Sequence, residues 1–199
     1  MEITIQMVKD LREATSAGVL EAKKALVKAG GDYDKAVDIL REKGAARAAK
    51  RSDRSVNEGL VELYTHPGDR LGVMLEINCE TDFVARTEEF KALAHNLALH
   101  IAAMSPRYLT REEVPQGELD REIEVLKSQA LADGKPEAIV EKIVAGRMKK
   151  FYGEICLLEQ PFIKDDSMTI NEMLLDAIRR TGENIIVRRF ARYELGEEL

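Results

Sequence analysis

Cysteine is scarce in this chain of 199 residues. Cys79 and Cys156 are the only two, too few for a disulfide framework and wrongly spaced for a zinc site. Long apolar runs are missing, so no segment is a candidate helical membrane span. The opening Met1-Glu2-Ile3-Thr4 lacks the basic-then-apolar order of a secretory signal. A reducing cytoplasm is the expected setting. Positive charge is not in excess either: the formal net charge is −6, which argues against a specific or general nucleic-acid binder. A phosphate-cradling loop is also absent. Gly30-Gly31 reads as a helix turn with no Walker-type Lys after it, so neither direct nucleotide binding nor a cofactor is expected. His95 and His100 stand five apart, off the one-turn spacing that shares a metal. Cys79 with His66, His95 or His100 lacks an orienting third group, so the chain is not expected to be an enzyme.

The residues that are present describe a globular protein, with 45% hydrophobic and 33% charged side chains. The length suits one sizeable domain, or a small one followed by a medium one. Charge is unevenly spread. Residues 1–54 hold 12 Lys and Arg against 9 Asp and Glu, which leaves 18 against 27 for the remainder. A mildly basic head on an acidic body suits an acidic protein surface, although a solvated face explains it as simply. The prevalence of Glu, Lys and Arg over Asn and Gln leans towards a thermophilic composition.

Residues 4–44 read as three short helices. Ile5, Val8 and Leu11 mark the first, with Thr4 as its cap. Ser16-Ala17-Gly18 breaks the pattern; Ala22, Ala25, Leu26 and Ala29 mark the second helix, which stops at Gly30-Gly31. Tyr33, Ala36, Val37 and Leu40 form the stripe of the third, capped by Asp32 and ended by Gly44. Val19 and Leu20 fit the stripe poorly. They are either an exposed docking pair or packed under the preceding turn. Residues 45–54, with Arg47, Lys50, Arg51 and Arg54, read as a basic, solvated connector, which places the boundary near residue 54.

Residues 55–199 read as an α+β body. A strand over residues 59–65 carries Val61 and Leu63 on one face, and His66-Pro67-Gly68-Asp69 turns it into a hairpin partner. In that partner Leu71, Val73, Leu75 and Ile77 alternate with more polar residues. Helices follow over residues 87–104, 119–132 and from Pro136, the last carrying Ile139, Ile143, Met148 and Phe151. Thr169 caps a short helix, and Ile185, Val187, Phe190, Ala191 and Tyr193 make a final strand with no plainly solvated face.

The most telling stretch is Asn78-Cys79-Glu80-Thr81-Asp82-Phe83-Val84-Ala85-Arg86, where the strand period gives way to the helix period. A strand-to-helix corner is a rigid place from which to project an acid and a large aromatic, Asp82 and Phe83. The same residues also fit an ordinary helix start, with Thr81 as cap, Asp82 at the positive end of the dipole and Phe83 in the core.

That segment resembles the one that the elongation factor Ts family inserts into elongation factor Tu. The resemblance extends to Leu11-Arg12-Glu13-Ala14-Thr15-Ser16-Ala17-Gly18 with Lys23-Lys24-Ala25-Leu26, to Arg147-Met148-Lys149-Lys150-Phe151-Tyr152-Gly153-Glu154, to Gln160-Pro161-Phe162, and to Gly182-Glu183-Asn184-Ile185. Ser16 departs from the family, which has Gly there. The resemblance implies a ubiquitin-associated-like three-helix domain over 1–54, then a small antiparallel sheet packed with helices over 55–199. It implies guanine-nucleotide exchange on elongation factor Tu, in its GDP-bound and nucleotide-free forms. Thr81, Asp82, Phe83 and Val84 are implied to dislodge the partner's Mg²⁺, and Leu11, Val19, Leu20 and Lys23 to dock on it. Long family members carry a second core half and a protruding helical hairpin. The short distance from Gln160 to the final strand implies the short type, with a homodimer supplying what is missing. A non-catalytic adaptor with the same helical head is the rival expectation.

Overall fold

The computed structural model describes residues 3–15 and 17–197, so Ser16 lies outside the described residues. The fold is α+β. Three helices open it: α1 (Ile5–Thr15), α2 (Val19–Lys28) and α3 (Tyr33–Ala49). Thr4 Oγ1 accepts from the Met7 N–H at 3.2 Å, and Asp32 Oδ1 accepts from the Lys35 N–H at 3.1 Å, so both expected caps are in place. Val8, Leu11, Ala17, Ala22, Ala25, Leu26, Ala36 and Leu40 form the core of this bundle. Ile5 and Tyr33 are exposed instead of lining it. Each begins its helix, one turn before the core residues, and Ile3, Met7 and Val37 take up the packing instead.

Helix α3 also runs five residues past Gly44. The residues that follow are almost all Ala, Arg and Lys, strong helix formers, and a single glycine costs only about 1 kcal/mol against that preference. Nor is the connector merely solvated. The Arg51 guanidinium donates to the Ile178 carbonyl at 3.2 Å, and Arg54 pairs with Glu80 at 3.3 Å. The side chain of Arg47 lies outside the described residues.

The body holds β1 (Glu58–Thr65), β2 (Leu71–Cys79), a short α4 (Asp82–Ala85), α5 (Glu88–Met104), α6 (Gln116–Ala132), α7 (Glu137–Ile155), β3 (Pro161–Phe162), β4 (Asp165–Thr169), α8 (Ile170–Thr181) and β5 (Ile185–Glu194), with single 3₁₀ turns at Arg111–Glu113 and Leu157–Glu159. A three-stranded sheet has the order β1-β2-β5, and β3 pairs with β4 in an antiparallel ladder. The His66 N–H donates to the Leu71 carbonyl at 2.9 Å, closing the expected β1–β2 hairpin. Gly59 is obligatory where β1 begins. Its φ of 144° is open to glycine, and an added Cβ would stand 2.1 Å from the Ile77 carbonyl oxygen.

Val73, Leu75, Ile77 and Cys79 are buried, as their alternation requires. Val61 and Leu63 share a face, but that face is exposed. Glu62 and Tyr64 are the β1 residues that meet α5, through His95: a 3.0 Å contact to Glu62 and an edge-on ring contact to Tyr64. Arg192 turns the same way and donates to the Ala102 carbonyl at 3.3 Å. Tyr193 therefore points oppositely, to the face of Val61, Leu63 and Met74, all exposed.

Helices α6 and α7 form a hairpin with its own core of Leu126, Ala130, Val140, Val144 and Met148. A helical hairpin is thus present despite the short-type length. Of the expected α7 stripe, Met148 is buried and Ile143 and Phe151 pack against this core, whereas Ile139 is exposed and Val140 and Val144 are buried beside them. Pro136 is the N-cap, and the helix opens at Glu137.

By contacts the chain divides into two compact units. One comprises the chain to Leu60 with Ile77–Lys91 and Leu174–Ile186; the other comprises Val61–Glu76, Ala92–Met173 and the chain from Val187.

Candidate functional site at the strand-to-helix corner

The corner is built by β2 running out at Cys79 and α4 starting at Asp82. Thr81 is the N-cap, with extended backbone angles (φ −128°, ψ 152°) and its hydroxyl accepting from the Val84 N–H at 3.4 Å. That much matches an ordinary helix start. Phe83 does not: it is 80% exposed, a large aromatic held in water one residue into a helical turn. Asp82 beside it is partly exposed and pairs with Arg86 at 3.0 Å, a surface contact of little energy. Val84 is half-buried, and Ala85 is buried, so the turn is rooted through its rear face while Phe83 projects. Exposing a phenyl ring forgoes roughly 2 kcal/mol of burial, and nothing on the corner recovers it.

Glu183, which follows α8, fixes the corner from behind. Its Oε2 accepts from the N–H groups of Glu80 at 3.1 Å and Thr81 at 3.0 Å, and its Oε1 accepts from the Thr81 hydroxyl at 2.6 Å. Sequence spacing does not reveal this carboxylate, 102 residues from Thr81. Its only trace is its place inside the Gly182-Glu183-Asn184 string.

The expected docking residues separate into two kinds. Val19 and Leu20 are exposed, and Lys23 is exposed one turn on. Leu11 is fully buried in the head core and has no surface to offer a partner; its part is to hold α1 in place. Val27, missed by the sequence reading, is 61% exposed and continues the line of Val19 and Lys23 at steps of four.

Cys79 and Cys156 are both buried free thiols, each pushed up to about 11, chiefly by burial. Both are protonated at neutral pH, the opposite of a nucleophilic cysteine. Among the described residues no three His, Cys, Asp or Glu side chains cluster as metal ligands, and no helix is long and apolar enough to cross a membrane.

A family model described as elongation factor TS matches residues 2–197. The chain is 55% identical to "Elongation factor Ts" of Carboxydothermus hydrogenoformans over 197 residues, 99% of this chain and 91% of the relative. It is 56% identical to the protein of that name from Herpetosiphon aurantiacus, over 98% and 99% of the two chains. A third relative of that name, from Moorella thermoacetica, is 56% identical over 96% and 94%.

Proposed function

This chain belongs to the elongation factor Ts family, and from that premise we propose that it promotes GDP release from elongation factor Tu during translation. The observation that carries the reading is Phe83, exposed beside Asp82 on an anchored corner. The pair enters beside the partner's nucleotide site and displaces the elements that hold Mg²⁺ and the phosphates, with Thr81 and Val84 as its base. Mg²⁺ demands near-ideal octahedral geometry, so a small shift of its supports weakens it strongly. Loss of the ion strips the diphosphate of its charge neutralisation, and GDP leaves. No covalent step is needed. The coupling is reciprocal: the factor weakens nucleotide binding as much as nucleotide weakens the factor's, so GTP completes the cycle by expelling it.

The helical head, residues 1–54, is the docking module, and it meets the partner through Val19, Leu20 and Lys23. The exposed face of Val61, Leu63, Met74 and Tyr193 supports a homodimer built on the body, in which a second copy covers it. The working place is the cytoplasm.

The rival reading, an adaptor without effect on nucleotide, leaves the exposed Phe83 unexplained. Fluorescent-GDP release from elongation factor Tu separates the two. Exchange predicts release that accelerates with added factor, and an adaptor predicts binding at an unchanged release rate.

A further inference from the structure

Glu183 accepts three hydrogen bonds from the corner. It accepts from two successive backbone N–H groups and from the hydroxyl that caps α4. The hydroxyl can then donate in one direction only, which leaves its lone pair for the Val84 N–H. Two residues before Phe83, the chain is therefore fixed in position and in twist. The return contact doubles the clamp. Glu80 Oε1 accepts from the Asn184 N–H at 2.6 Å, so each strand of the contact holds the other's backbone.

The same turn also holds the chain that arrives from the helical head. Asn184 is buried, and its Nδ2 donates to the carbonyls of Ser52 at 3.3 Å and Arg54 at 3.2 Å. Arg54 reaches Glu80 from that side. Gly182, with φ 79°, makes the reversal after α8 that presents Glu183 and Asn184 together. One turn thus anchors both the projecting corner and the end of the connector.

We propose that Glu183 is a positioning residue for nucleotide release: through Thr81 and Glu80 it sets the angle at which Asp82 and Phe83 project. Hydrogen bonds to an ionised carboxylate are stronger than neutral ones, which suits a group that must hold aim against the resistance of a partner. The inference rests on the reading of Asp82 and Phe83 given above. It assigns the release step, and not docking, to a residue that acts through the backbone and hydroxyl of the corner.

The test uses the full chain and fluorescent GDP bound to elongation factor Tu. The maximal release rate and the half-saturating factor concentration are measured separately, with circular dichroism as the check on folding. Glu183→Ala should lower the maximal rate about tenfold, the scale of one lost charge-assisted hydrogen bond. Half-saturation should stay within about threefold, because the docking surface is untouched. Glu183→Gln keeps an acceptor for the N–H groups and should recover most of the rate. If Glu183→Ala does not fold, Glu183→Asp, which keeps the charge but falls short of Thr81, carries the same expectation. Added to Asp82→Ala/Phe83→Ala, the Glu183 change should cost nothing more. A wild-type maximal rate in folded Glu183→Ala, or a further loss on the double-mutant background, overturns the assignment. If Asp82→Ala/Phe83→Ala loses the rate while Glu183→Ala keeps it, the fault is in this inference alone. A wild-type rate in Asp82→Ala/Phe83→Ala removes the underlying reading as well.

Discussion

Two aromatic side chains at the residue scale have opposite burial. Phe90 is 1% exposed and Phe83 is 80% exposed, seven positions apart. His100 is the buried polar counterpart. The Ile163 N–H donates to its Nδ1 at 3.2 Å, which places the ring proton on Nε2, where it is donated to Gln160 Oε1 at 3.0 Å. Gln160 in turn donates to the Glu154 carbonyl at 2.7 Å, so the Gln160-Pro161-Phe162 motif is tied to α5 and to the end of α7. Burial lowers the pKa of His100 below its ordinary 6.5, against a smaller upward pull from Gln160. The folded state thus binds this proton less readily than the unfolded chain. Its contribution to stability is complete above pH about 6.5 and is lost as pH falls from there towards the depressed folded value. Thermal midpoints between pH 7 and 5.5 should fall for the wild type. His100→Asn, uncharged throughout, should start lower and lack that slope; an equal slope in both would assign it to other groups.

At the scale of elements, the entry to β1 and the face of α2 make separate predictions. Gly59→Ala meets both a forbidden φ and a backbone oxygen, so it should destabilise the fold by more than about 2 kcal/mol in urea titration. Val19→Asp and Leu20→Asp alter exposed side chains. They should leave the circular dichroism intact while weakening the complex with elongation factor Tu by about tenfold or more, in a calorimetric titration. Unchanged affinity would remove both from the docking surface.

Periodicity made the long elements legible: β2 from its alternation, α5 from Phe90 to Ile101, and β5 from its apolar string. It could not say which face of β1 turns inward, because Tyr64 and Glu62 meet α5 through one histidine while two aliphatics face out. The strands β3 and β4 escaped because two and five residues are too few to show a period. At the corner, the Thr81 cap and the helical turn after it were legible from residue type and order. Glu183 was not, since a contact across 102 residues leaves no local signature.

At the scale of the whole molecule, the sheet carries an exposed apolar face. Val61, Leu63, Met74 and Tyr193 line it, and the Glu76–Arg189 pair crosses it at 2.7 Å. Static light scattering at micromolar concentration should give the mass of two chains. Leu63→Asp with Tyr193→Asp should give one, with the fold retained. A wild-type monomer would leave that face for another partner.

The central claim is that Asp82 and Phe83 act on bound nucleotide and not on the fold. Since Phe83 is exposed, its removal should change stability by no more than about 0.5 kcal/mol. The decisive measurement is fluorescent-GDP release from elongation factor Tu at saturating Asp82→Ala/Phe83→Ala, beside calorimetric binding of the same variant. The account predicts release slowed by about a hundredfold with binding weakened far less, as expected when an interaction made only in the releasing state is removed. Wild-type release by the folded double variant would contradict it.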